Sequence, residues 1–283
     1  MSDEPPFRVD VAAGVATVTI DHPPINLMTV PMFLGLADAA ERLAADRDVR
    51  AVIVRSANPE WFIAHFDVEA ILGFPVPDRA AARSDELNAF HQMCETLRTM
   101  PKPTIAVIEG RVAGGGSELA LSCDMRYASP DAVFNQPEVA LGIIPGGSAT
   151  VRLPRLIGRG RALEVILGCD DIDAMTAERW GWVDRVLDDA DRWPFVERLA
   201  ARIASFPAHA VAAAKASVVR ADGDLTADLL AEGDAFAATL GQPDTRRAME
   251  RFFELGGQTP AGERRLGELA GELAGELAGP DGS

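Results

Sequence analysis

The chain has 283 residues, 48% hydrophobic and 25% charged, with 27 Lys and Arg against 43 Asp and Glu for a formal charge of −16. These are the proportions of a globular protein and exclude disorder as the main state. The acidic balance argues against nucleic acid and anionic membranes as partners. Cys94, Cys123 and Cys169 form no CxxC pair and fit a reducing cytoplasm. The N-terminus has acid and proline where a secretory signal needs a basic end and an apolar core, and no stretch reaches membrane-spanning length, so a cytoplasmic location is expected.

In chain order, Val15 to Ile20 alternates with period two and Gly14 separates it from Phe7 to Val11, which predicts an opening hairpin. Thr29 can cap a helix with Pro31 in its first turn, continued by Phe33, Leu36, Ala40 and Leu43 to Arg47. Val49 to Val54 and Thr104 to Ile108 are near-continuous apolar runs of buried strands, with a helix near Ser84 to Met100 between them. Repeated βα units of this kind imply a parallel sheet covered by helices. Beyond about Arg152 helical patterns dominate through Leu255. The tail carries three Gly-Glu-Leu-Ala repeats from Gly267 to Ala278. Each glycine costs a helix about 1 kcal/mol relative to alanine, so residues 261–283 are expected to be disordered.

Strand Thr104 to Ile108 runs into Glu109-Gly-Arg-Val-Ala-Gly-Gly-Gly-Ser-Glu-Leu-Ala-Leu121, a glycine turn that opens a helix and presents free N–H groups to a phosphate or to a transient oxyanion. No Gly-Lys-Ser/Thr closes the run, and Leu119 stands where both a GxGxxG cradle and a serine-hydrolase elbow centred on Ser117 need glycine. An oxyanion is the remaining reading. Glu118 is expected on the first turn of that helix, where the positive helix end favours its ionised form. Glu138 is the one ionisable residue in the mostly apolar stretch Phe134 to Gly146, where burial raises its pKa. Two carboxyls pushed apart in this way suit an acid–base pair.

Gly114-Gly-Gly-Ser-Glu-Leu-Ala120, Gln136-Pro-Glu138, Leu141-Gly-Ile-Ile-Pro-Gly146, Asn26-Leu27, Pro103-Thr-Ile-Ala and Arg152-Leu-Pro-Arg-Leu-Ile-Gly158 together resemble the enoyl-CoA hydratase/isomerase (crotonase) superfamily over most of residues 7 to 260. The resemblance implies an α/β fold, a crotonase (ClpP-like) spiral of ββα units in residues 1–200, and a helical trimerisation region in residues 201–260. It also implies acyl-CoA thioesters as substrates, a homotrimer or homohexamer, and no cofactor beyond the substrate's own coenzyme A; no pair of histidines has metal-ligand spacing, so no metal is expected. Carried over by position, the backbone N–H groups of Phe66 and Gly115 form an oxyanion hole. Glu118 activates water for attack at C3 and Glu138 delivers a proton to C2. Ile63, Ala64, His65, Asp67, Gly114, Pro145 and Gly146 complete the substrate pocket.

With both glutamates present, a hydratase adding water reversibly across a 2,3-double bond is expected. A double-bond isomerase using Glu138 alone and a non-catalytic acyl-CoA-binding paralogue are the alternatives. The second is motivated by His65, which replaces the family's usual glycine; it is expected to tolerate a positive-φ turn with its ring exposed. His22, His91 and His209 are expected to be structural, and Lys102, Arg246 and Arg247 are candidates for the coenzyme A phosphates.

Overall fold

The computed structural model describes residues 5–75 and 84–277. The opening hairpin pairs β1 (Phe7–Ala12) antiparallel with β2 (Val15–Ile20) through a two-residue turn, Ala13-Gly14. Both turn residues have positive φ, 50° and 79°, as a type I′ turn requires. Helix α1 (Val30–Ala45) starts as its sequence predicts, with the Thr29 hydroxyl accepting from Met32 N and Pro31 in the first turn.

From here the chain builds a repeating unit. Each turn contributes a strand to one sheet, a short strand to a second sheet, and a helix: β3 (Ala51–Ser56), β4 (Trp61–Ile63) and α2 (Val68–Leu72), followed by α3 (Ala89–Thr99). Next come β5 (Thr104–Ile108), β6 (Arg111–Ala113) and α4 (Gly114–Leu121), then β7 (Met125–Ala128) and β8 (Val133–Asn135), which leads into a 3-10 turn at Glu138–Leu141. Helices α5 (Ala149–Ile157) and α6 (Arg159–Gly168), strand β9 (Ile172–Asp173), α7 (Ala174–Trp180) and β10 (Arg185–Val186) complete this part. The large sheet has the order β1-β2-β3-β5-β7-β10 and is parallel beyond the hairpin; the small one has the order β4-β6-β8-β9. This is the expected spiral of ββα units. Its core joins Val52, Val54, Ala106 and Ile108 to Met32, Leu36 and Met93 on the covering helices and to Phe134 and Trp182.

The remaining chain is helical: α8 (Asp189–Ala204), α9 (Ala208–Val219), α10 (Thr226–Leu240), α11 (Pro243–Glu254), α12 (Pro260–Glu263) and α13 (Leu266–Leu277). The last two correct the expectation of a disordered segment at 261–283, whose final residues, 278–283, lie outside the described part. Leu266, Leu269 and Leu273 are buried in a second core with Val68 and Ile71 of α2, Leu141 of the 3-10 turn, and Met249 and Phe252 of α11. Fully burying a leucine contributes roughly 1.5–3 kcal/mol, which outweighs the helix cost of the glycines. One glycine is needed: a Cβ at Gly267 would lie 2.8 Å from both Asp171 N and Asp170 Oδ1. Leu269→Ala is therefore expected to lower unfolding free energy by about 2–5 kcal/mol, measured by urea denaturation. A disordered tail predicts no change.

Candidate active site

β6 runs directly into α4 at the glycine run. Ala113 offers no side-chain cap, so the amides of the first turn have neither a helical nor a side-chain acceptor. Gly114 takes φ +46°, and a Cβ at Gly116 would lie 2.6 Å from both Ile63 O and Ile63 Cβ. Glycine thus lets α4 begin in contact with the end of β4. A Cβ at Gly115 would stand 3.6 Å from Phe66 N, which places the two sequence-predicted donors side by side.

The direction of the Phe66 N–H follows from its neighbours. Met28 bridges the loop, donating from N to His65 O at 2.9 Å and accepting from Asp67 N at 3.0 Å. In the trans peptide between His65 and Phe66, N–H and C=O point opposite ways, so the Phe66 amide faces away from Met28. Among the described residues it has no hydrogen-bond partner.

Glu118 is the fifth residue of α4, beyond its first turn, so the sequence expectation that this helix end favours its carboxylate is corrected. The donors come from elsewhere: Gly147 N at 2.8 Å and Ala149 N at 3.0 Å, both to Oε1, at the start of α5. Burial pushes the Glu118 pKa well above the usual carboxylate range, reinforced by the charges of Glu138 and Glu232 and opposed by these two amides. Glu138 opens the 3-10 turn, which closes at Gly142 with φ 77°. Its Oε2 is buried without a partner among the described residues, and Oε1 lies 2.7 Å from where a Gly114 Cβ would be. Burial, opposed by backbone hydrogen bonding and the His65 charge, pushes its pKa from 4.5 up to about 7.

The folded protein thus holds a proton on Glu138 between pH 4.5 and 7 that the unfolded chain releases. Stability is therefore expected to fall as pH rises through this window. Urea midpoints at pH 5 and pH 8 measure the effect, and Glu138→Gln should reduce it, leaving the share of Glu118 and His65, which are raised as well.

Two carboxylates escaped the sequence reading. Glu232 of α10 accepts from Ser148 N at 2.6 Å and Thr150 N at 2.9 Å, and its Oε1 meets His91 Nε2 at 3.0 Å. Consecutive amides 147 to 150 are thereby shared alternately between Glu118 and Glu232, which locks the segment that positions Glu118. Glu263 of α12 meets His65 Nε2 at 3.1 Å. Both acids lie far along the chain from the groups they meet, 141 residues from His91 and 198 from His65, so no local pattern marks them.

The cavity occupies about 880 Å³ and is lined by Glu118, Glu138, Gly115, Phe66, His65, Gly146 and His91, with Phe33, Phe74, Phe90 and Phe236 as apolar wall. Ile63, Ala64, Asp67, Gly114 and Pro145, expected in the pocket, do not line it. Ile63 packs under Gly116; Ala64 is buried with Ile25 and Trp61; Asp67 caps α2, accepting from Glu69 N. Gly114 lies against the Glu138 carboxyl, and Pro145 is buried outside the wall. His65 also departs from expectation. Its φ is not positive, its ring is buried, and Nδ1 lies 2.7 Å from Phe66 O. Lys102 is no phosphate ligand, because its buried ammonium donates to Leu43 O and Asp46 O, each at 2.6 Å. Arg246 and Arg247 pair with Glu250 and Asp244 on the surface of α11, and neither lines the cavity.

Phe66, Gly115 and the two carboxyls of Glu118 and Glu138 thus border one largely apolar cavity. Residues 10–259 match the enoyl-CoA hydratase/isomerase family, and the chain belongs to that family. A crotonyl-CoA hydratase of Syntrophomonas wolfei is 33% identical over 85% of this chain and 92% of its own length. A short-chain enoyl-CoA hydratase of Clostridium acetobutylicum is 32% identical over 85% and 91%. The crystal structure of an enoyl-CoA hydratase from Mycobacterium avium superposes with a TM-score of 0.78 at 28% identity, covering 88% of this chain and all of that one. A solved chain from Streptomyces avermitilis reaches 0.86 at 37% identity, covering 96% and 99%.

Proposed function

We propose that the protein is an enoyl-CoA hydratase, adding water reversibly across the 2,3-double bond of an enoyl-CoA thioester. The observation that carries this reading is that Glu118, Glu138, Gly115 and Phe66 line the same cavity. The thioester oxygen accepts from the Phe66 and Gly115 amides. As water attacks C3, electron density moves through C2 onto that oxygen, and preorganised donors stabilise this charge more than the ground state. Glu118 takes the proton of the attacking water and Glu138 delivers one to C2, so a C–O and a C–H bond replace the π bond.

The hydrogen bonds support this division of labour. Two amides satisfy the charge on Glu118, whereas the unpartnered oxygen of Glu138 is better off carrying the pair's single proton. The names of the crotonyl-CoA and short-chain hydratases add support. Incubation with crotonyl-CoA tests the proposal: the conjugated thioester absorbance should fall as 3-hydroxybutyryl-CoA forms. Persistence of that absorbance with properly folded protein contradicts it.

A homotrimer or homohexamer in the cytoplasm completes the reading. Helix α9 buries none of its residues within the chain, and Leu163, Leu167, Met175 and Val218 are exposed, which supports coverage by further copies. No described helix is long and apolar enough to cross a membrane. The three cysteines are buried and unpaired, which supports a reducing compartment.

A further inference from the structure

We infer that His65 is a positioning residue for the Phe66 oxyanion donor, held as an imidazolium between the Phe66 carbonyl and the Glu263 carboxylate. The inference deepens the hydratase reading and rests on it for the identity of the oxyanion. Both ring nitrogens face acceptors. Nδ1 lies 2.7 Å from Phe66 O, and a carbonyl only accepts, so Nδ1 carries hydrogen. Nε2 lies 3.1 Å from Glu263 Oε1, the same oxygen that accepts from Gln258 N at 2.8 Å. That second donor favours the ionised carboxylate, and a carboxylate in turn requires a hydrogen on Nε2. The pair is enclosed, with side chains 4% and 2% exposed, and the Phe252 ring of α11 closes it edge-on at 5.8 Å.

Each peptide plane that meets at Phe66 Cα is therefore held. Met28 holds both planes on one side, through His65 O and Asp67 N, and the His65 ring holds the second plane from the other side, through Phe66 O. The imidazolium also puts positive charge one residue from the donor. Its surroundings balance as follows. Burial lowers the His65 pKa, while the charge and hydrogen bond of Glu263, the Phe66 carbonyl and the charge of Glu138 raise it, with a net result of about 8. Burial raises the Glu263 pKa, but the His65 charge and hydrogen bond, the Gln258 amide and the Arg111 charge bring it below its ordinary value. Glu263 lies beyond the residues that match the family model, which end at 259, and 198 residues from His65 along the chain.

The test uses Glu263→Gln, which keeps the volume of the side chain and removes the charge that holds His65 as an imidazolium. The first readout is the thioester carbonyl infrared band of bound, carbonyl-labelled butyryl-CoA, which reports the donors whether or not hydration occurs. The wild-type downshift should be at least halved in the variant. The second is the NMR titration of His65, resolved among only four histidines; its midpoint should drop from about 8 to below 6.5. The third is crotonyl-CoA kinetics: kcat should fall about 10-fold with KM changed less than 2-fold, a fraction of the 10²–10³ that loss of a whole donor costs.

An unchanged carbonyl band in Glu263→Gln overturns the inference even if crotonyl-CoA is hydrated normally. A band shift that the variant loses upholds it even if crotonyl-CoA is not turned over, an outcome that contradicts only the hydratase reading. If the single variant does not fold, the uncharged pair His65→Gln/Glu263→Gln replaces it. A wild-type carbonyl band in that double variant overturns the inference, and a weakened one upholds it.

Discussion

Glu138→Gln should lower kcat for crotonyl-CoA by about 10²–10⁴-fold, the range that a positioned general acid contributes, while leaving acyl-CoA binding nearly intact. Glutamine fills the same volume and can still hydrogen-bond, but it has no proton to deliver to C2. Its amide also occupies a site where the carboxyl Oε2 is buried with no partner among the described residues, so above about pH 7 the substitution removes a buried ionised group and the fold should be at least as stable there. Loss of activity in a protein that is equally or more stable is the signature of a group kept for chemistry. Glu118→Gln separates the hydratase from an isomerase that uses Glu138 alone. The hydratase account predicts a comparable fall in kcat, because Gln cannot take the proton of the attacking water. Full activity in Glu118→Gln, measured by stopped assay at matched protein concentration, would contradict the paired mechanism.

Gly116→Ala should be nearly as damaging, although it touches no reacting atom. The added methyl would lie 2.6 Å from the backbone oxygen of Ile63 and 2.8 Å from its Cγ2, and a backbone oxygen cannot rotate out of the way. Relief requires the start of α4 to move off the end of β4. That motion separates Gly115, on α4, from Phe66, three residues beyond Ile63, and the two amides then no longer meet on one oxygen. A fall in kcat of about 10²–10³ is expected, the cost of one lost donor, together with a lower unfolding midpoint. A useful contrast is Gly271→Ala on α13, where no atom lies within 4 Å of the added carbon. It should leave kcat unchanged and raise stability by roughly 1 kcal/mol through helix propensity.

The legible part of the protein is the part encoded locally. Alternation from Val15 to Ile20, the Thr29 and Pro31 helix start, and the unbroken apolar run Thr104 to Ile108 each obey a short-range rule, and each appears where that rule puts it. The glycine run and the isolated Glu138 pointed to the site because both break a pattern: too many glycines for a helix start, and one acid in an apolar stretch. What stayed hidden depends on contacts across the chain. Gly-Glu-Leu-Ala repeats look too glycine-rich to hold a helix, and only the surface of α2, the 3-10 turn and α11 makes that helix stable.

The same holds for electrostatics. The amides that face Glu118 belong to residues 147 and 149, about thirty positions downstream, so reasoning from its own helix picked the wrong dipole. The sequence around His65 marks only its departure from glycine in a turn, because its partner lies 198 residues away. Motif spacing finds the groups that react; it does not find the groups that orient them.

The central claim is geometric and is tested most directly by a crystal structure with butyryl-CoA bound. The account predicts the thioester oxygen about 2.7–3.1 Å from both Phe66 N and Gly115 N, with the Glu118 and Glu138 carboxyls on the same side of the C2–C3 bond and a water between them. A thioester oxygen bonded to neither amide, or C2 and C3 out of reach of both glutamates, would contradict it.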